Sequence, residues 1–540
     1  MNSAASGRGG LLADPLRDRR VVVVGAGIAG LVCALLLAHR GLHVTVVERA
    51  AAPGGKMRRV AVDGAAIDAG PTVFTMRWVF DGIFDAAGAS LETALRLTPL
   101  DVLARHAWRD GSRLDLHADR ARSADAIGEL AGADEARRFL RFCAAAGRVY
   151  AALEGPYIRS ERPTLASMMR DLGPGGLTVL AGLGPFTSLM RAVSRHFRDP
   201  RLQQLFGRYA TYCGSSPWAA PATLMLVAQV EMDGVWSVDG GMHAVALAVA
   251  DLAARRGAAF RYGAHCEEIL FEAGAARGVR LAGGERIDAD AVVFNGDVNA
   301  LATGLLGAAA RNAAPEVRPR ERSLSGLSWL MHARAAGFPL AQHNVFFDDD
   351  YASEFADIFG RGRLPRKPAV YVCAPDRADD GPSAGSAERL SCLVNAPAVG
   401  DRPGGEPGPL DVSEIEQCER TSFALLERCG LTIASRPENT VRVTPREFAR
   451  LFPATGGALY GQATHGWMSS FRRAASASAI PGLYLAGGSV HPGPGVPMAA
   501  MSGRLAAETL LARLASTSRS RRVVISGGMS MRSATTAGTG

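Results

Sequence analysis

Lysine is almost missing from this 540-residue chain: of its 60 basic residues only Lys56 and Lys367 are lysines. Cysteine is sparse, eight residues in all, and no two form a CxxC pair. That spacing excludes zinc-ribbon and disulfide-framework readings, so no metal site is predicted, and scattered reduced thiols fit a cytosolic protein. Met1 to Arg20 has no apolar h-region, so no secretory signal is expected there. The run Val21 to Ala38 is uncharged, apolar and long enough to raise the question of a membrane span. Three glycines at turn spacing inside that run mark it as a buried strand, turn and helix rather than a membrane span. The formal charge of +8 makes no case for nucleic acid, because neither aromatic–basic interleaving nor zinc-finger spacing accompanies it. Part of the excess, Arg519, Arg521, Arg522 and Arg532, sits in a Ser/Thr/Gly-rich tail.

What is present is a globular composition, 48% hydrophobic and 21% charged, long enough for two or more domains. Three stretches have α/β character, and they predict one nucleotide-binding domain built from residues 19–80, 238–306 and 471–515. Residues 81–237 and 307–470 then form a second, inserted domain for substrate. Within it "ADEARRFLRFCAAAGRVYAAL", Ala133 to Leu153, reads as an amphipathic helix. The acidic run Asp348 to Asp350 reads as a solvated loop. Residues 1–18 and 516–540 are small, polar and aperiodic, and read as disordered.

The chemistry begins at "VVVVGAGIAG". Val21 to Val24 predict a buried parallel strand. Gly25 allows the tight turn, Gly27 lets backbone approach a pyrophosphate, and Gly30 lets the next helix pack close. That helix, Ala29 to Arg40 and stopped by Gly41, points its N-terminal N–H groups, from Ile28 and Ala29 onward, at the phosphates. The next strand, "HVTVVE", ends in Glu48, whose carboxylate can accept both ribose hydroxyls. Glu48 disfavours a 2′-phosphate and hence NADP; NAD and FAD remain at this point.

The following residues resemble the extension found in FAD-containing amine oxidases and carotenoid desaturases. There a second glycine pair and a cation, here Gly54, Gly55 and Lys56, run along the FAD pyrophosphate, and a turn like Asp68-Ala69-Gly70-Pro71 leads toward the isoalloxazine. In that fold the backbone near His265 to Glu267, centred on Cys266, approaches the adenine; the His265 side chain reads as plain surface. Ala291 to Phe294 is expected to close the sheet near the adenosine. In "YLAGGSVHPGPGVPMAAM", a buried strand meets Gly487-Gly488, and a helix starts near Pro497. The N–H groups of Val496, Pro497's neighbour Met498 and the rest of that first turn would face the flavin pyrimidine edge. Three converging segments and a single GxGxxG favour FAD over NAD.

Taken together, "DAGPTVFTMRWVFDGIF" and "YLAGGSVHPGPGVPMAAMSGRLAAE" resemble the bacterial phytoene desaturase-type carotenoid desaturases of the FAD amine oxidase-like superfamily. The first is closer to the 1-hydroxycarotenoid 3,4-desaturases (methoxyneurosporene dehydrogenases); where phytoene desaturases more often carry GGRA, this chain has GGKM. The resemblance covers about a quarter of the chain. It implies an α/β fold: an FAD-binding Rossmann-like domain of the amine oxidase/phytoene desaturase type with an inserted mixed α+β substrate domain. It also implies non-covalent FAD and oxidation of a C–C single bond to C=C in a hydroxylated acyclic carotenoid. Hydride loss from the allylic C4 and proton loss from C3 need no strong base, so no catalytic base is assigned. His491, just before the flavin-facing helix, is the one titratable candidate there, with a positioning role as the alternative. A carotenoid is too insoluble to arrive through water. A cytoplasmic protein peripherally bound to membrane is therefore expected, with Gly175 to Met190 as the contact or, alternatively, as a buried helix pair. A phytoene desaturase, a carotenoid isomerase, another FAD oxidase of the superfamily and a non-catalytic binder are the competing readings, and the electron acceptor is open.

Overall fold

β-Branched residues in an unbroken run suit a strand buried on both faces. The four valines form the strand Arg20–Val24, at the centre of five strands. The computed structural model describes residues 18–184, 186–377, 385–402 and 410–525, with side chains to residue 516. In it the five strands run in the order Leu483–Leu485, Ala291–Phe294, Arg20–Val24, His43–Glu48, Ala259–Tyr262. All neighbouring pairs are parallel, with Val21 beside Ala291 on one side and Val44 on the other. Three distant stretches of sequence thus supply one sheet. One expectation needs correcting. Ala291–Phe294 lies on the far side of the central strand from Glu48, and the strand that closes the sheet beside Glu48 is Ala259–Tyr262. That strand follows the helix stop at Gly257 and is mostly exposed.

The helix after the glycine turn runs Ile28–His39, and all residues from Ile28 to Ala38 are buried. A helix apolar all round must be enclosed by neighbours. Here they are the helices Met242–Arg255 and Val496–Ile525. The second comes so close that a Cβ on Gly503 would stand 2.1 Å from the Ala29 carbonyl oxygen. This last helix also extends past residue 515, the expected end of order, because no glycine or proline interrupts residues 504–526. Residues 1–17 and 526–540, also read as disordered, lie outside the described residues.

A second sheet of seven strands runs in the order Thr440–Val443, Ser325–Ala333, Glu388–Ala396, Val370–Cys373, His343–Phe347, Val102–Trp108, Arg113–His117. Only His343–Phe347 with Val102–Trp108 is parallel, and that pairing stitches residues 81–237 to residues 307–470. Helices cover the sheet on the side of Ala133–Leu153, whose bounds match the sequence reading. Its buried Phe139, Phe142, Ala146 and Val149 recur at helical spacing, and Phe142 packs against Phe197 and Phe206. Asp348 to Asp350 is not a plain solvated loop. Asp348 is buried and ion-paired to Arg109 and Arg428, Asp349 pairs with Lys367, and Asp350 caps the helix Tyr351–Phe355. Arginines from distant segments neutralise a run that looks solvated when read in sequence alone.

Candidate active site

The first glycine turn has no room for side chains. A Cβ on Gly25 would lie 2.8 Å from the Asn295 carbonyl oxygen, one on Gly27 2.9 Å from Asn295 Oδ1, and one on Gly30 2.2 Å from the Gly25 carbonyl oxygen. Gly25 also has φ of 101°, which only glycine adopts without strain. The second glycine pair docks directly on the first turn: Gly54 N–H donates to the Ala26 carbonyl at 2.8 Å, and a Cβ on Gly55 would sit 3.2 Å from Gly27 Cα. The Asp68–Pro71 turn crosses the same strap, since a Cβ on Gly70 would fall 1.8 Å from the Lys56 carbonyl oxygen. Asp68 itself accepts a hydrogen bond from Met242 N–H at 2.5 Å, satisfying the N-terminus of the helix Met242–Arg255.

Asn295 is the residue that sequence reading overlooked. Its N–H donates to the Val24 carbonyl, and Nδ2 donates to the Ala486 carbonyl at 2.9 Å. It therefore ties the first turn to the third segment, while its buried Oδ1 has no partner in the protein. The helix start beside it is open as well: Gly27 is the N-cap, no side chain caps the turn, and the first turn has no acid.

Lys56 does not stand free. Its ammonium donates to the Leu459 carbonyl at 2.5 Å and lies over the Phe452 ring, and burial lowers its pKa. Two residues on, Arg58 keeps Nε and Nη2 buried without a partner, beside Arg450, and burial and that second cation lower its pKa. The Arg-Arg pair after Gly-Gly-Lys-Met was the available signal for Arg58. Glu48 accepts hydrogen bonds from Ala26 N–H at 2.7 Å and Ala50 N–H at 2.8 Å, which fixes its carboxylate at the mouth of the turn. Beyond it, Ala264 N–H donates to the Glu48 carbonyl, so the Cys266 segment runs alongside; Cys266 is buried and His265 is exposed.

In the third segment the buried Arg473 donates to the carbonyls of Tyr460, Gln462 and Gly488, clamping the Gly488 loop. The last helix opens at Val496 with Pro497 and Met498 in its first turn, and Ala499 N–H donates to the Gly495 carbonyl. His491 is 3% exposed. Its Nε2 lies 3.0 Å from the Tyr157 carbonyl and 2.9 Å from the Ser160 carbonyl, so Nε2 carries the proton and donates to both. Its ring also meets Tyr157 edge-on at 4.8 Å. This is a fastening between the loop and the residues after the Ala133–Leu153 helix.

Residues 28–511 match the model of the family described as flavin containing amine oxidoreductase. The chain belongs to the flavin-containing amine oxidoreductases. It is a flavin-dependent oxidoreductase with FAD as its cofactor. It is 69% identical to a hydroxyneurosporene desaturase of Rubrivivax gelatinosus, over 98% of this chain and all of that one. It is 46% identical to a hydroxyneurosporene desaturase of Cereibacter sphaeroides, over 93% of this chain and 99% of that one. An oxidoreductase from Methanosarcina mazei shares the fold, with a TM-score of 0.58 at 15% identity, over 90% of this chain and 99% of that one.

The residues present fit an FAD phosphate group at this place. The uncapped helix start and the side-chain-free glycine crossing offer N–H donors, and Arg58 on the strap that follows, with two buried nitrogens unpartnered, adds positive charge. A cavity of about 620 Å³ opens beside the Asp68 turn, between the Ala65–Asp68 strand and the Glu388–Ala396 strand, with Asp68, Thr72 and Met242 in its lining. Its lining includes Arg59, Arg96, Asp239, Asp376 and Arg389, which does not suit a polyene.

An apolar face also lies on the surface. The helix Leu165–Leu183 is kinked at Gly173, followed by Pro174, and only Met168 in it is buried. Leu165, Met169 and Leu177 are exposed, and Phe186, 82% exposed, meets the exposed Trp467 ring edge-on at 6.0 Å. Over Gly175 to Met190 the first part is therefore not a buried helix, whereas Thr187 and Leu189 are buried. Among the described residues no helix is long and apolar enough to cross a membrane.

Burial holds the pKa of His491 down, from 6.5 to about 4. Its folded pKa lies below its unfolded one, so the unfolded chain takes up the proton first as pH falls. The stability this residue contributes is present in full above about 6.5 and is lost between there and about 4, on the order of 3 kcal/mol. Unfolding temperature measured from pH 7.5 to 4.5 should therefore fall less steeply for His491→Gln than for the unsubstituted protein. Parallel curves would show that His491 titrates normally.

Proposed function

We propose that this flavoenzyme desaturates an acyclic 1-hydroxycarotenoid, turning its C3–C4 single bond into a double bond. The observation that carries this reading is the end-to-end 69% identity with a hydroxyneurosporene desaturase. When bound, FAD would supply the acceptor for the hydride lost at C4. The chain's own part is to hold that cofactor and align the polyene. Gly25, Gly27, Gly30 and Gly55 keep side chains away from the pyrophosphate, and the N–H groups of Ile28 and Ala29 donate to it. Arg58 supplies the counter-charge, while Lys56 braces the Leu459 loop. Glu48 takes the ribose hydroxyls, and backbone at Cys266 borders the adenine. Gly70 and Pro71 carry the chain toward the ring, and Gly488, Val496, Pro497 and Met498 line its pyrimidine edge. The C3 proton, acidified by the neighbouring cation, departs to solvent without a strong base. His491 is held through Nε2 by two carbonyls, which gives it a positioning role.

Anaerobic mixing of the purified holoenzyme with a 1-hydroxylated acyclic carotenoid should bleach the flavin and yield one new conjugated double bond per flavin. Phytoene offered side by side should react far more slowly. A flavin that stays oxidised with the hydroxylated carotenoid sinks the reading. Arg58→Met should weaken FAD binding about tenfold or more by removing a charge-assisted contact, as measured by equilibrium dialysis. Unchanged affinity would remove Arg58 from the site.

The exposed face of the kinked helix supports peripheral contact with membrane. Phe186 and Trp467 would enter the interface, with Arg162 and Arg191 exposed nearby in sequence to meet anionic headgroups. In flotation with anionic vesicles, Phe186→Asp combined with Trp467→Asp should lower the bound fraction at least tenfold. Equal flotation of variant and parent counts against this surface.

A further inference from the structure

The five parallel strands end side by side, and ligands of such sheets sit at the carboxyl ends of the strands. Arg20–Val24 runs into the first glycine turn, and its neighbour His43–Glu48 ends in the carboxylate. The next strand outward, Ala259–Tyr262, is the edge of the sheet, and it ends in a tyrosine. In FAD the adenine follows the ribose on the side away from the pyrophosphate. A nucleotide with its pyrophosphate at the glycine turn and its ribose at Glu48 therefore brings its base to the end of this edge strand.

Register puts Tyr262 directly beside Glu48, and Phe260 beside Val46. Registered residues of parallel strands project to the same face, and alternate residues along one strand share it. Val46 is buried in the core around the helix Ile28–His39, and Phe260 packs against that core. Tyr262 and Glu48 thus project on this same face, two residues nearer the carboxyl ends. The chain after each strand is tied to the other: Gly263 N–H donates to the Ala50 carbonyl at 3.0 Å, and Ala264 N–H to the Glu48 carbonyl at 2.8 Å. Burial and the Glu48 charge raise the Tyr262 pKa, so the phenol keeps its proton beside that carboxylate.

Tyr262 is nonetheless 39% exposed. The half-buried Phe260 ring stacks against it, with centroids 5.8 Å apart and planes within 16°. Arg261, between them in sequence, is held away by an ion pair with Glu285. An aromatic ring braced by a second ring, and still open to solvent, suits a flat heteroaromatic partner. The carboxylate beside it suits the sugar such a partner carries.

We propose that Tyr262 is the adenine platform of the FAD site, its ring stacking on the base while Glu48 holds the adjoining ribose. The platform rests on the nucleotide placement proposed above, in which only backbone at Cys266 borders the adenine. Tyr262 is a positioning residue with no part in the chemistry. It favours FAD over FMN, which carries the same flavin without the adenosine.

The test uses the full chain stripped of flavin and three probes: FAD, ADP as its adenosine half and FMN as its flavin half. Flavin fluorescence reads FAD and FMN binding, and titration calorimetry reads ADP. Tyr262→Ala should weaken FAD and ADP about tenfold and leave FMN unchanged. Tyr262→Phe keeps the ring and should bind all three probes as the parent does. Tyr262→Leu still covers Phe260 without an aromatic face; it should behave like Tyr262→Ala, and it decides the matter if the alanine variant fails to fold. Equal losses for ADP and FMN, or an ADP affinity unmoved by loss of the ring, overturn the proposal. Glu48→Gln separates the platform from the placement beneath it. If Glu48→Gln weakens ADP and Tyr262→Ala does not, the ribose placement stands and the platform falls. If ADP binds equally to both variants and the parent, the placement falls and takes the platform with it.

Discussion

Main chain touches main chain where this enzyme grips its nucleotide, and the rest of the structure is arranged so that it can. At Gly25, Gly30, Gly70 and Gly503 an added methyl would collide with a carbonyl oxygen, not with a side chain that could turn away. Backbone cannot yield without moving the strand or helix it belongs to, so the site is stiff by construction. Asn295 completes it from the neighbouring strand, filling the space the glycines leave and binding the first and third segments through its own amide.

This crossing explains why three remote stretches share one sheet. The strap carrying Gly54 and Lys56, the Asp68 turn and the Ala486–Gly488 loop each contact the first turn or a neighbour of it. Charge is handled differently on the two sides of the molecule. Two and four residues past Gly54, Lys56 donates to the Leu459 carbonyl and Arg58 keeps two buried nitrogens without a partner. On the substrate side, the buried Glu231 and Arg208 offset one another amid tyrosine rings, so an apolar interior keeps its polar groups without a net field.

Much of the nucleotide half is legible in the sequence because its signals are local. Val21–Val24, the glycine spacing, Glu48 and the strand Ala291–Phe294 are each set by periodicity or turn chemistry within a few residues, as is the helix Ala133–Leu153 in the inserted stretch. What escaped depends on partners far away. Arg58 looks like any arginine in an arginine-rich chain until its neighbours are placed. The burial of Asp348 follows from Arg109 and Arg428, neither near it in sequence. The seven-stranded sheet is hidden because its one parallel pairing joins residues more than 230 positions apart. A cavity of about 10 Å³ lined by His343 draws on both inserted stretches and on Val73, so no single window contains it.

The enclosed helix Ile28–His39 also sets an order of events at the ribosome. It emerges among the first fifty residues, yet the partners that cover it are Met242–Arg255 and the helix beginning at Val496. Through most of translation an apolar cylinder must therefore wait without its cover. The cover over this helix is complete only when the residues from Val496 onward have been made.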